Sequence, residues 1–346
     1  MERDQLHSDF RRPSRAVRLH TFLLVWAVAL AGCSSSGGSI AALGLSGRLV
    51  YSQGLEGLWQ IDLASGEIEQ LWKLPEGGQL TGVAVSPDGL DLALAYAPPR
   101  GDSPFIRSDL YLASGDGSNP AALLEHRGLY ETFDYPTWSP DGLWIYLSRN
   151  DVLIDEQQSV SAIVVDIVRI PLGGGTPERV IENAEQPSFS ADGSRLVFLR
   201  FNLETYTRGL WIANADGSEA RELVSDTTFL DLTSPRLSPD GASVAFAASG
   251  PPIGGAPIGR SFWDWIFGVQ VAYAHGLPWD FWTVPASGGT PALISQWSTD
   301  GTALDWSPDG DRLALMHLGG LFVTTGGEPA FLTETPNHGG IDWSQD

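Results

Sequence analysis

Five aspartates recur in one setting along this chain. Asp88, Asp141, Asp240 and Asp309 each stand third in the tetrapeptide Ser-Pro-Asp-Gly, and Asp192 stands third in Ser190-Ala191-Asp192-Gly193. A shortened copy, Ser344-Gln345-Asp346, ends the sequence. Repeated carboxylates could serve acid–base catalysis or hold a metal, but both need convergence; a Ca²⁺ ion alone takes about six to eight oxygens. Equivalent positions of a repeat are spread around the fold instead of gathered. The tetrapeptide has the chemistry of a turn, since Gly accepts positive φ and Asp bonds its own backbone. We therefore read these five aspartates as structural turns. No G-x-S-x-G elbow, H-E-x-x-H pair or Cys/His metal spacing occurs either, so we expect no catalytic residue, no metal and no cofactor.

The elements that carry the turns follow from their spacing. Successive serines of the motif lie 53, 51, 48, 69 and 37 residues apart, the period of a four-stranded propeller blade of about 40–50 residues. A short apolar strand precedes each turn, as in Tyr135-Pro136-Thr137-Trp138. A second follows it, such as Leu143–Leu147 or Arg195–Leu199. A third is aromatic-rich, as at Gly209–Ile212 and Phe281–Val284, and a Gly-rich turn leads to a fourth, such as Glu178–Ile181. The C-terminal stretch Gly340–Asp346 supplies only a first strand, and Arg48–Ser52, Gly57–Leu63 and Ile68–Leu74 supply a second, third and fourth. The expected fold is all-β: six four-stranded antiparallel blades, closed by pairing of the two termini in one blade. A linear β-solenoid and an incomplete sixth blade are the alternatives. Closure would remove the open sheet edges.

With an aromatic or aliphatic residue before each Ser-Pro-Asp-Gly turn, residues 47–346 resemble the TolB-like, WD-like six-bladed propellers. The resemblance implies an extracytoplasmic binding or scaffolding role. Thirteen residues, 34–46, leave no space for the separate N-terminal domain of TolB, so a role in the Tol system is not carried over.

The net charge of −22 argues against a nucleic-acid partner. Arg11, Arg12, Arg15 and Arg18 precede an apolar run, Thr21–Leu30, that is too short to span a bilayer. Leu30-Ala31-Gly32-Cys33 follows, in the order of a secretory signal, and resembles a bacterial lipobox. The resemblance implies cleavage of residues 1–32 and lipid attachment at Cys33, the only cysteine; a buried thiol and an uncleaved anchor are the other readings. Residues 33–46 read as a lipidated, Ser/Gly-rich tether. We expect a lipid-anchored, extracytoplasmic monomer of the bacterial cell envelope, on the outer membrane or on the outer face of the cell membrane.

Topology puts the connections between second and third strands on one face. Pro98–Ser108, Asn150–Ser159, Phe201–Thr207 and Gly250–Trp279 all fall there, and long loops are commonly functional. We place the partner surface, for a protein, peptide or glycan, on this insertion face. Its first candidates are Phe262, Trp263, Trp265, Tyr273, His275 and Trp279, in the insertion 250–280, which reads either as a plug over the channel or as a binding lid. Arg236, Asp305 and Asp342, on the innermost strands, form a second group that could orient a polar ligand or satisfy itself. Glu131, Tyr135, Glu185, Asp231 and His338 form a third, at the strand entrances. The alternative to a binding module is a propeller enzyme of the lyase or hydrolase kind with acids at the channel mouth.

Overall fold

The computed structural model describes residues 40–99, 107–156, 159–250, 279–299, 302–325, 328–335 and 339–345. Their strands sort into six four-stranded antiparallel sheets. Strands β1–β3 are Arg48–Gln53, Gly57–Asp62 and Glu67–Lys73. Blade I is β4–β7, at Gln79–Val85, Asp91–Ala97, Asp109–Ser114 and Ala121–Leu124. Blade II is β8–β11, at Thr132–Trp138, Trp144–Ile154, Val160–Pro171 and Glu178–Glu182. Blade III is β12–β15, at Ala184–Phe189, Arg195–Asn202, Thr207–Asn214 and Arg221–Val224. Blade IV is β16–β19, at Asp231–Leu237, Ser243–Ser249, Trp279–Pro285 and Ala292–Thr299. Blade V is β20–β23, at Thr302–Trp306, Leu313–His317, Gly320–Val323 and Ala330–Thr333. The last strand, β24 (Ile341–Ser344), joins β1–β3 as blade VI.

Closure of the ring is explicit. β24 pairs antiparallel with β1, from Arg48 opposite Ser344 to Tyr51 opposite Ile341. Ser52 N–H donates to the Gly340 carbonyl at 2.9 Å, and Gly340 N–H donates to Ser52 Oγ at 2.7 Å. A Cβ on Gly339 would lie 2.0 Å from the Ser52 carbonyl, so only glycine lets the two termini approach this closely.

The hydrophobic core is divided. Six clusters of buried side chains fill the six interfaces between successive blades, such as Leu110, Trp138 and Val168 between I and II, and Leu49, Met316 and Trp343 between V and VI. Both faces of most strands are therefore covered, which explains continuous apolar runs such as Leu92–Ala97 in place of alternation. Ile40 is buried in the V–VI cluster, with Leu43 and Leu45 packed against it. The chain is thus packed from Ile40 onward, before the end of the expected tether. Cys33 and the rest of 33–39 lie outside the described residues. Among the described residues no helix is long and apolar enough to cross a membrane.

The five turns are built alike. In each, the serine Oγ donates to Oδ1 of the aspartate two residues on, at 2.5–2.7 Å. The same Oγ accepts the N–H five residues on at 2.9–3.0 Å. The turn glycines have φ of 69–77°, which glycine adopts without strain. The prolines act between blades: a Cβ on Gly193 would lie 3.2 Å from Pro140, and one on Gly310 would lie 3.5 Å from Pro239. Where Ala191 replaces proline, the following turn glycine, Gly241, has no neighbour within 4 Å of that point.

Two of the expected long connections are shorter than the sequence suggested. The first half of the stretch from Asn150 to Ser159 is strand, because β9 and β10 continue as a long hairpin to Ile154 and Val160. Between Phe201 and Thr207 only residues 203–206 leave the ladder, as a turn. In both places β-branched and aromatic residues extend the strands beyond the blade.

Candidate functional site

The channel is lined by the innermost strands β4, β8, β12, β16, β20 and β24. Three consecutive ones share a defect. Tyr135, Gln186 and Ser234 have φ of 53°, 56° and 54°, and each is followed by a proline, Pro136, Pro187 or Pro235. Proline donates no hydrogen bond to a ladder, and the pairing register shifts at all three places. Positive φ at a non-glycine residue costs about 1–3 kcal/mol and persists only where its surroundings enforce it.

The enforcing contacts run from blade to blade. Gln186 Oε1 accepts Ser234 N–H at 2.7 Å and Thr233 Oγ1 at 3.2 Å. Gln186 N–H donates to Ser148 Oγ at 2.8 Å, and Ser234 Oγ donates to the Thr302 carbonyl at 3.0 Å. Asp134 Oδ1 accepts Thr81 Oγ1 at 2.7 Å and Ser108 Oγ at 2.6 Å. The half-buried Tyr135 hydroxyl bonds to Thr233, and its pKa is raised, first by burial and then by the Glu185 and Asp134 charges.

At the insertion end these strands start with carboxylates held by arginines from other strands. Arg208, on β14, donates through Nε to Glu185 Oε1 at 2.5 Å and through Nη1 to Asp231 Oδ1 at 3.0 Å. It thereby ties blade III to blade IV. Burial alone would lower the Arg208 pKa, but the Asp231 and Glu185 carboxylates outweigh that and raise it. Arg149, on β9, bonds Glu131 at 2.8 Å and lies 3.5 Å from Asp151. Burial first, then the Glu131 charge, raises the Asp151 pKa. Five carboxylates, Glu131, Asp134, Asp151, Glu185 and Asp231, thus gather at this end of the channel, with Arg149 and Arg208 bonded among them.

Arg236, Asp305 and Asp342 also come together, two residues before the tight turns and therefore at the opposite end. Arg236 Nε is 3.6 Å from Asp305 Oδ1. Asp305 Oδ2 accepts Trp343 N–H at 2.8 Å, and Asp342 Oδ2 accepts Val85 N–H at 3.2 Å. Each acid thus reaches the next blade's inner strand. Burial, with Asp305 beside it, pushes the Asp342 pKa up to about 7. Indoles add to the stitching: Trp138 and Trp306 donate to the Ala84 and Arg236 carbonyls, both at 3.1 Å.

Phe262, Trp263, Trp265, Tyr273, His275 and His338 lie outside the described residues. Trp279 is buried as the first residue of β18, in the cluster between blades IV and V. Among the described residues no group of three or more His, Cys, Asp or Glu is placed to hold a metal ion.

Sequence reasoning missed a second repeated aspartate. Asp109, Asp166 and Asp280 stand at equivalent places on the third strands and accept the backbone N–H of His126, Asn183 and Trp297, each 17 residues on. In blades III, V and VI the equivalent residues are Gly209, Gly320 and Gly57. The signal was present as Asp or Gly before an apolar residue in every third strand. The three X-Pro pairs inside inner strands were likewise a legible mark of the bulges.

No family model and no curated protein match this sequence. Solved structures do. TolB from Acinetobacter baumannii aligns over 87% of this chain and 67% of its own, with 15% identity and a TM-score of 0.58. A chain of a nidogen/laminin complex aligns over 85% of this chain and 97% of its own, with 12% identity and a TM-score of 0.56. With six four-stranded blades closed by the first and last strands, the chain has the TolB-like six-bladed β-propeller fold.

Proposed function

We propose that this protein is a lipid-anchored, extracytoplasmic binding module of the bacterial envelope that holds a protein or peptide partner on its insertion face. The observation that carries the reading is where large apolar side chains meet solvent. Of eleven such residues among those described, only Leu90 and Leu143 lie at tight turns, and Leu293 and Phe331 lie on outer strands. The other seven sit at the insertion end: Leu55, Leu203 and Leu318 in short connections, Leu129 before β8, and Leu153, Ile154 and Val160 on the long hairpin. Apolar side chains gathered at one end, around a polar and acidic channel mouth, suit a protein interface with aliphatic anchors. The similarity to a chain from a protein–protein complex agrees with this at the level of fold alone.

Crosslinking in intact cells, followed by recovery of the protein, tests the reading. Wild type should bring down a defined partner, and a Leu129→Glu, Leu203→Glu, Leu318→Glu variant of unchanged melting temperature should not. Equal recovery by both would overturn it. For the anchor, Cys33→Ser should lose the lipid mass and leave the membrane fraction.

A second reading, an enzyme acting on a glycan, draws on Asp342, because a carboxyl titrating near 7 suits proton transfer. It ranks lower because Asp342 and Asp305 both bond backbone N–H groups of neighbouring blades. Turnover of a polysaccharide library that disappears in Asp342→Asn would reverse the ranking.

A further inference from the structure

The insertion face offers backbone as well as side chains. β9 and β10 pair from Trp144 opposite Pro171 out to Ile154 opposite Val160. Their neighbours stop sooner. β8 begins opposite Asn150, and β11 ends opposite Asp166. Asp166 Oδ1 accepts Asn183 N–H at 3.3 Å, just where the chain turns away with φ of 52° at Asn183. Beyond that point Val160–Val165 pairs only with β9 among the described residues. Six residues at ~3.3–3.4 Å each leave an open edge of about 20 Å.

Propellers close their rings to remove such edges, and exposed ones are commonly blunted by charge or proline. This one reads Val-Ser-Ala-Ile-Val-Val, with neither. A bulge at Ser161 interrupts only its tip and leaves Ala162–Val165 in register. We propose that the open edge of β10 accepts an extended segment of a partner protein as an added strand, with basic residues flanking an apolar, alternating centre. Backbone hydrogen bonds would supply affinity and the alternate side chains specificity. The basic flanks follow from the charges at the two ends of the edge: Asp155 and Glu156 at the tip, and Asp166 and Glu182 at the base, where the nearby cations are Arg179, at 3.8 and 3.9 Å, and Arg149, opposite Asp166 but bonded to Glu131. A second copy of this chain fits poorly. Two-fold antiparallel pairing would set the tip acids of one copy against the base acids of the other, in a protein of net charge −22.

The proposal rests on the insertion-face reading for location only. Its test is calorimetric titration of the whole protein with a capped octapeptide of alternating valine and threonine, with arginine at both ends. Controls are the same peptide with glutamate ends and one N-methylated at alternate residues. Binding should be at least about tenfold weaker with either control, since one adds like-charge contacts and the other removes backbone donors. Ala162→Pro and Ile163→Pro test the edge itself, because alternate residues point their N–H groups outward and proline is tolerated only there. The variant that keeps the wild-type melting temperature should lose the peptide. If neither folds, Ala162→Lys, at an exposed position, should weaken binding of the arginine-ended peptide. Absence of binding, or binding that these variants leave unchanged, would overturn the open edge while leaving the leucine variant above as the separate test of the face. Self-association of the free protein, abolished by the same variants, would assign the edge to a second copy and overturn the peptide.

Discussion

The two ends of the channel are made from the same residue types, one chiefly by repetition and the other chiefly by variation. At the turn end one hydrogen-bonded loop is repeated five times, and its exposed aspartates have lowered pKa values, chiefly through the serine hydroxyl. Where carboxylates are buried the shift reverses: Asp151 and Asp166 at the insertion end, like Asp305 and Asp342 just before the turns, have raised pKa values, chiefly through burial. Beyond the bulge shared by β8, β12 and β16 and the third-strand aspartates of three blades, the contacts there differ from blade to blade: Arg208 bridges two carboxylates in III and IV, Gln186 serves Ser234, and Asp134 gathers two hydroxyls. Repetition marks what every blade needs in order to fold. Divergence marks where the blades were free to differ, and so where a particular partner could be specified.

The largest effect is expected at the seam. Deleting Ile341–Asp346 removes buried Ile341 and Trp343 and opens the ring. At roughly 1.5–3 kcal/mol for each large side chain, the loss should exceed about 3 kcal/mol before the edges are counted. An unchanged thermal midpoint would show that the ring does not depend on closure. Next, Arg208→Met should cost about 3–5 kcal/mol in urea unfolding, because it takes the guanidinium away from the buried Glu185 and Asp231 carboxylates. Adding Glu185→Gln and Asp231→Asn should recover most of that, and failure to recover would make Arg208 a packing residue instead.

Smaller effects sharpen the contrast. Alanine in place of Ser86, Ser139, Ser190, Ser238 or Ser307 should each cost about 1–2 kcal/mol, for two lost hydrogen bonds, with nearly equal values around the ring. Alanine at Thr81, Gln186 and Ser234 should give unequal ones. The smallest is a matter of pH. Asp342 binds its proton more tightly in the folded state, with a pKa of about 7 against an ordinary 3.8. Its ionisation therefore removes stability as pH rises from about 4 through 7. Asp342→Asn should leave the melting temperature unchanged at pH 4 and raise it by a few degrees at pH 8. The opposite trend would mean that Asp342 is stabilised as a charge.

The fold was legible because the turn motif is chemically redundant, with Ser, Asp and Gly each meeting a separate local requirement. The shared blade VI was legible because the terminal strands complete a count. The long hairpin was not, since periodicity cannot show where a strand outruns its neighbours. The Arg208 cluster was half visible: Glu185 and Asp231 could be placed at strand entrances, but Arg208 arrives from a different strand, and only the register reveals it.

Closure also has a meaning in time. Ser52 and Gly340 are bonded across 288 positions of sequence, so β1 must wait for β24. Until β24 emerges, the growing chain carries blade VI as three strands without its innermost one. Such long-range pairing makes for slow folding and prolonged exposure of sticky edges. A ring that needs β24 can be carried a long way open, and becomes one object only when that strand docks on β1.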